Sequence, residues 1–326
     1  MYGGATLLMG SSLSGNQTLI SKNGTFALGF FNPRATNNWY IGIWYTTIPQ
    51  KAIVWVANRD NPVRNMPGVL KFSRGGQLTL FDRMGCSVWS TDNGQKGSGA
   101  VITDSGNFIV LDAHNESAIV WESFAHPTDT LLPDAKLWKG MTLTSWKSSS
   151  DPASGLYSFR MDTSLGKTEL MMLFNNTVPY WSSGECIGHN YFTNVPELEG
   201  QKKVQTSCVR LSPSRIYIYF GLNPVDHMIT GRFVLNENGD FELFFGMDDG
   251  RWSLRWSTIR SAGPMDCAIR MMCIVVSRAS HPSTTLKVGG QLGVLGENPF
   301  NALSRRAQPT ASWKPRTNTC LKKKLS

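Results

Sequence analysis

Residues 103–121 hold the stretch Thr103-Asp-Ser-Gly-Asn-Phe-Ile-Val-Leu111, and the segment closes on Ala118-Ile-Val-Trp121. A turn dipeptide, Ser105-Gly106, introduces an apolar run, and an indole follows 15 residues after the glycine. Glycine takes up the positive φ of a tight turn without steric cost, so the stretch reads as a hairpin. The same order recurs. Gly75-Gly76 precedes Gln77-Leu-Thr-Leu-Phe81, with Trp89 13 residues after Gly76. Asn238-Gly239 precedes Asp240-Phe-Glu-Leu-Phe-Phe245, with Trp252 13 residues after Gly239. Asn23-Gly24 precedes Thr25-Phe-Ala-Leu28. An all-β chain produces single runs of this kind by chance. Four copies, three of them followed by a tryptophan at a similar distance, read instead as one supersecondary unit used repeatedly. Each unit is too small to stand alone. Packed as faces around a common axis, the sheets can bury their tryptophans together.

Strand patterns fill the first 260 residues and helical periodicity is almost absent. Residues 232–245 read as a hairpin with a five-residue loop, and Arg215-Ile-Tyr-Ile-Tyr-Phe220 as a further strand. The polar, breaker-rich run Ser148-Ser-Ser-Asp-Pro-Ala-Ser-Gly155 reads as a linker. Two bodies are therefore expected, 1–147 and 155–262.

The chain has 326 residues, 41% of them apolar and 17% charged, which excludes a disordered, collagen-like or coiled-coil chain. Its longest purely apolar run, Met271 to Val276, is far too short to span a bilayer. The net charge of +9 is not evenly spread. From Cys267 onward there are ten Lys/Arg and one acid, Glu297, whereas the preceding 266 residues carry 22 of each sign. A neutral body with a basic, poorly ordered tail over 267–326 is expected, not a nucleic-acid-binding composition. Lys322 to Lys324 read as a solvated end.

Compartment is read from four glycosylation sequons, at Asn16, Asn23, Asn115 and Asn175. They favour a secreted or cell-surface chain, although the N-terminus shows no charged segment followed by a long apolar one. The six cysteines (Cys86, Cys186, Cys208, Cys267, Cys273 and Cys320) allow 15 pairings.

Catalytic signals are thin. No G-x-S-x-G, H-E-x-x-H or P-loop is present, and no Cys/His cluster has zinc spacing, so neither an enzyme nor a cofactor or metal is expected. His126-Pro-Thr-Asp129 offers an imidazole and a carboxylate, but a structural role is the better reading. Asp248-Asp249 could be paired carboxylates, yet Asp-Asp-Gly250 reads better as a turn before Trp252. Trp55, Trp89 and Trp121 could stack on sugar rings, but they are expected to fill a core.

Longer strings carry a resemblance. They are Ser21-Lys-Asn-Gly-Thr-Phe-Ala-Leu-Gly-Phe-Phe31, Tyr40-Ile-Gly-Ile-Trp-Tyr45, Val54-Trp-Val-Ala-Asn-Arg-Asp-Asn-Pro-Val63 and Trp121-Glu-Ser-Phe-Ala-His-Pro-Thr-Asp-Thr-Leu-Leu-Pro133. With Leu143-Thr-Ser-Trp-Lys-Ser148 and Gly155-Leu-Tyr-Ser-Phe159, they resemble the ectodomain of the plant S-domain (G-type lectin) receptor-like kinases and S-locus glycoproteins over about residues 5–267. The resemblance implies a bulb-type lectin β-prism of three small antiparallel sheets, then a second lectin-like S-locus glycoprotein domain. EGF-like, PAN, transmembrane and kinase parts would follow in relatives. Cys267 and Cys273 have the C-x5-C spacing that opens the EGF-like module, but its further cysteines do not appear, so 267–326 reads as an aberrant remnant. The family has a Trp where Cys186 stands. Cys186 either leaves a void costing about 3 kcal/mol or pairs with Cys208.

Bulb lectins bind mannose through Q-x-D-x-N-x-V-x-Y. The matching positions here are Ser21, Asn23, Thr25, Ala27 and Gly29; Ser73, Gly75, Gln77, Thr79 and Phe81; and Thr103, Ser105, Asn107, Ile109 and Leu111. No copy keeps the Gln, the Asp or the Tyr, and only Asn107 matches a polar position. Each lost hydrogen bond removes roughly 1 kcal/mol or more, so mannose binding through the motif is not expected. Gln77, Thr79, Phe81 and Asn107 remain the candidate sugar residues. The family implies recognition of a protein or peptide ligand, in pollen, immune or developmental signalling, with a glycan as the alternative. It also implies a homodimer, or a heterodimer with related receptors. A non-functional truncated product is the third reading.

Overall fold

The computed structural model describes residues 6–258, apart from 93, 95, 116, 188–191, 199–203, 213 and 223–229. The expectations for the tail, with Cys267 and Cys273, lie outside the described residues. Regular structure is strand, interrupted among the described residues by 3-10 turns such as Pro33–Ala35 and Ser123–Ala125.

The first half forms three small antiparallel sheets. One contains the strands Phe26–Phe31, Asn38–Tyr45 and Ile53–Val56, the next Val69–Phe72, Leu78–Phe81 and Ser87–Ser90, and the third Gly97–Ile102, Phe108–Asp112 and Ile119–Glu122. Each is completed by a short strand from the beginning of the chain. Thr6–Leu8 joins the third sheet, Ser12–Ser14 the second and Thr18–Ile20 the first. The four turn glycines singled out above, Gly24, Gly76, Gly106 and Gly239, have φ of 79°, 80°, 82° and 83°. At Gly106 a Cβ would also come within 2.6 Å of Leu132 and 2.8 Å of Phe26, so both conformation and space require glycine.

The last strand of each sheet sends one indole to the axis. Trp55, Trp89 and Trp121 form a triangle with ring centroids 5.8–6.1 Å apart, every pair edge-to-face. This geometry suits the aromatic quadrupole. Trp55 and Trp121 are buried and Trp89 is partly so, within a core that also takes in Leu28, Ile43, Leu70, Leu80 and Val110. The expectation that these tryptophans fill a core holds.

The second half repeats the plan. Thr130–Leu131, Lys136–Trp138 and Thr142–Ser148 again start six residues apart and again go to three different sheets. Thr130–Leu131 extends the sheet Gly231–Leu235, Phe241–Gly246 and Trp252–Ser257. Lys136–Trp138 pairs with Ile216–Leu222, which pairs with Val204–Arg210. Thr142–Ser148 opens the sheet that continues through Asp151–Asp162, Glu169–Phe174 and Val178–Glu185. The hairpin predicted at 232–245 is present, and the Asn236 side-chain oxygen accepts the amides of Asn238 and Asp240 across its loop. A second apolar core includes Trp181 and Trp256, 6.5 Å apart. Cys186 is disulfide-bonded to Cys208, their Cα atoms 6.4 Å apart, tying the end of one sheet to another.

Two expectations need correction. Trp252, read as an indole of the repeat, is not on the second axis. It packs against the first core and Tyr45, at 5.2 Å, while Trp256 four residues later occupies the second core. The expected linker 148–155 is instead the tip and return strand of a hairpin, closed by Ser148 opposite Asp151. Its polar residues serve the turn, where the Asp151 carboxylate accepts the Ala153 amide.

That hairpin is gripped from the first half. Arg59 donates to three carbonyls, those of Pro152 (2.8 Å), Thr144 (2.9 Å) and Ser145 (2.6 Å). The register shifts between Thr144 and Trp146, and such bulges release carbonyls from the ladder. The Asp60 carboxylate accepts the Ser154 amide (2.7 Å) and hydroxyl (3.0 Å). Tyr45 donates its hydroxyl to the Gly231 carbonyl at 2.9 Å, and Arg232 lies 4.6 Å over the Trp252 ring. Asp129 is buried behind this seam. Burial raises its pKa, opposed by the positive charges of Arg59 and Arg232.

Truncating Trp55 to Ala should lower unfolding stability by about 3–5 kcal/mol in chemical denaturation, because two neighbouring indoles lose their contact and no flexible side chain can refill the axis. Arg59→Lys should keep the fold but speed amide exchange at Ser154 and its neighbours. An ammonium is a point charge and cannot reach three carbonyls in the guanidinium's fork geometry. Unchanged exchange in that hairpin would show that the grip is not what holds it.

Candidate functional site

The candidate sugar residues fall on separate sheets. Gln77, Thr79 and Phe81 lie along the hairpin containing Leu78–Phe81, and Asn107 stands at the start of the strand Phe108–Asp112. They do not converge on one site. Gln77 is exposed, Thr79 and Phe81 are partly exposed, and the Lys71 ammonium lies 5.5 Å over the Phe81 ring.

The first position of each motif copy, where bulb lectins have Gln, carries a hydroxyl that turns inward on its own loop. The Ser21 hydroxyl accepts the Phe26 amide at 3.0 Å, the Ser73 hydroxyl the Gln77 amide at 3.2 Å, and the Thr103 hydroxyl the Asn107 amide at 3.1 Å. Short Ser and Thr side chains reach nearby backbone easily, and here they cap the turn. Asn107 is itself buried. Its amide donates to the Glu122 carboxylate at 2.7 Å, and its carbonyl accepts the Ser123 hydroxyl (3.0 Å) and the Phe124 amide (3.2 Å). At the last position of the first copy, Gly29 makes room for Trp44: a Cβ there would approach the indole to 3.1 Å. The polar atoms left from the motif are largely engaged within the protein, which its spelling alone did not reveal.

One concave region adjoins these positions and a second lies apart from them. A groove of about 740 Å³ runs between the first and third copies, lined by Ile20, Lys22, Val101 and Asp104 among others, and bridged where Asp104 accepts the Asn23 amide at 2.9 Å. A cleft of about 490 Å³ opens at the tryptophan axis, lined by Trp89, Asp92, His126, Pro127 and Met141 among others. The His126 carbonyl accepts the Trp55 indole N–H at 2.8 Å, and its imidazole stacks on Trp121 with a 13° angle between planes. Partial burial lowers the His126 pKa, opposed by Glu122.

The other chemistry-bearing groups are likewise placed in structural roles. Asp129 is buried and accepts the Thr128 hydroxyl at 3.0 Å, so it does not form a dyad with His126. Asp249 accepts the guanidinium of Arg251 in its own turn (2.6 and 2.9 Å), and Asp248-Asp249 is the turn that its spelling suggested. Among the described residues no three His, Cys, Asp or Glu side chains converge as a metal site, and no helix is long and apolar enough to cross a membrane. The four sequon asparagines are all exposed, with Asn175 (φ 49°) at a hairpin tip.

Residues 52–150 match the family model described as D-mannose binding lectin. The chain is 35% identical over 277 residues to the S-locus-specific glycoprotein S6 of Brassica oleracea, a match covering 80% of this chain and 61% of that protein. It is 40% identical over 258 residues to the receptor-like serine/threonine-protein kinase SD1-8 of Arabidopsis thaliana, covering 75% of this chain and 30% of that one. The chain thus spans less than two thirds of the curated relatives it matches. Among solved structures, a two-domain fetuin-binding lectin from Scilla campanulata aligns over 80% of this chain and 90% of its own, at 14% identity and a TM-score of 0.25.

His126 should titrate below the ordinary histidine value of 6.5 when imidazole resonances are followed by NMR. Because its pKa is lowered by folding, the folded state binds this proton less readily than the unfolded one. Stability should therefore fall as pH drops through 6.5 toward the folded pKa, and His126→Gln should flatten that slope. A midpoint at or above 6.5 would contradict the stacked, partly desolvated ring.

Proposed function

Because this chain carries a bulb-type lectin domain and its homologues are S-locus glycoproteins and G-type lectin S-receptor-like kinases, we propose that it is a non-catalytic extracellular recognition module for a protein or peptide ligand. The observation that carries this reading is the inward turn of the motif hydroxyls. Ser21, Ser73 and Thr103 hold their own loops, and Asn107 is bonded to Glu122, Ser123 and Phe124. A sugar would have to break these bonds to be recognised at the motif, and would recover little beyond what it displaced. Recognition then falls to loops and sheet surfaces, displayed on a scaffold held by its indoles and its seam.

The proposal includes a bulb-type lectin domain followed by an S-locus glycoprotein domain, supported by the two apolar cores. It also includes glycosylation at the exposed asparagines Asn16, Asn23, Asn115 and Asn175. Signals of the kind implied for the family, from pollen or in immunity, are the class of ligand, and pairing with itself or a related receptor is the means of transmission. A second reading, a carbohydrate binder, is favoured by the match to the mannose-binding family model.

A glycan array and a mannose titration on the full chain separate the two. The expected result is no saturable mannose binding and an array profile that Gln77→Ala and Asn107→Ala leave unchanged. Asn107→Ala should nonetheless cost about 1–3 kcal/mol of stability, since it strips partners from buried groups. Saturable mannose binding that Gln77→Ala abolishes would favour the lectin reading instead.

A further inference from the structure

The three-stranded sheet of the second half presents an unusual outer face. Its core side is Leu137, Ile216, Ile218 and Phe220, all buried. On the opposite side Trp138 and Tyr217, directly paired across the strands, are only partly buried, with ring centroids 4.6 Å apart. Cations lie over the rings. The Lys136 ammonium lies 5.1 Å from the Tyr217 centroid and the Arg215 guanidinium 5.7 Å from that of Trp138. Both cations are exposed, and neither forms an ion pair with a described residue, unlike Lys147 with Asp151 and Arg251 with Asp249. The carboxylate nearest in sequence, Asp134, accepts the Tyr219 hydroxyl at 2.9 Å.

We infer that this face binds an acidic polysaccharide built of uronic acids. The proposal goes beyond the peptide reading and does not depend on it. A pyranose presents an apolar C–H face that suits an aromatic ring, and a uronate adds a carboxylate, for which Lys136 and Arg215, exposed and lying over these rings, swing aside to pair. The face carries excess positive charge, so the complementary ligand is an anion. An extended peptide is less suited. Trp138 and Tyr217 stand on the face of the sheet, and Ile216–Leu222, which carries Tyr217, is its middle strand, so a ligand over these rings meets side chains and not a row of free backbone groups. Rigid sugar rings also lose less freedom on binding than a flexible peptide does.

The test is a titration of the full chain with a short oligomer of galacturonic acid, alongside the same oligomer as its methyl ester. Poly-glutamate and single-stranded DNA serve as the other polyanions. The acid oligomer should bind saturably, more weakly as salt rises, and at least tenfold more tightly than its ester. The double variant Lys136→Glu, Arg215→Glu should lose at least tenfold, whereas Lys136→Arg should keep binding. Both side chains are exposed, so these variants test the site without threatening the core. Trp138→Ala, checked by circular dichroism for an intact fold, should weaken binding as well. Equal binding of acid and ester, indifference to the charge reversals, or a preference for poly-glutamate or DNA through the same residues would overturn the assignment.

Discussion

A ribbon of short strands does not have enough apolar surface to exist by itself. In the first half this constraint is met where three ribbons turn one indole each toward a shared axis. Trp55, Trp89 and Trp121 touch one another edge to face, so each sheet's core is completed by the other two. The loops that connect the sheets are positioned by that triangle. So is His126, which lies on Trp121 while its carbonyl holds the Trp55 indole. The second half solves the same problem differently. Trp181 and Trp256 meet, but the three-stranded sheet offers the small Thr206 to the core there, and an apolar cavity of about 30 Å³ lies among these groups.

The halves are joined by polar groups as much as by apolar ones. A guanidinium loses hydration when it is taken from water, and Arg59 recovers three bonds from carbonyls freed by a bulge. Burial lowers its pKa, and the charges of Asp129, Asp60 and Asp151 oppose that shift. Arg232 and Asp129 add a second charged layer, with Tyr45 bonding across to Gly231. Such an arrangement is geometrically demanding. It favours one relative placement of Arg59 and the hairpin at 142–155, since alternatives would leave a charge without its acceptors.

Much of the architecture was legible because its signals are local. A turn glycine with positive φ and an indole a fixed distance later can be counted along the chain, and Gly76 with Trp89 or Gly106 with Trp121 are such pairs. The donated strands were not legible: Thr6–Leu8 is three residues long and pairs with Gly97–Ile102, far beyond any local window. Trp252 misled because spacing does not report which face of a strand meets which neighbour, and Arg232 and Tyr45 draw it to the seam. The segment at 148–155 misled because a hairpin tip and a linker share a polar, breaker-rich composition. For the sugar motif, the spelling showed which groups were missing. It could not show that those remaining were bonded inward, since Glu122 and Ser123, the partners of Asn107, lie on another strand and its following turn.

The serial gift of three edge strands carries a consequence for synthesis. As the polypeptide leaves the ribosome, Thr6–Leu8 must wait until Gly97–Ile102 has emerged before it finds its neighbour, and Thr130–Leu131 must wait for Gly231–Leu235. Meanwhile these segments are unpaired templates that could recruit any passing strand. Their brevity, two or three residues with Ser or Thr at their starts in Thr6–Leu8, Ser12–Ser14 and Thr130–Leu131, makes each a poor seed for such encounters. Maturation of this scaffold is thus paced by the arrival of distant partners, and its stickiest moment comes while the opening residues are still waiting.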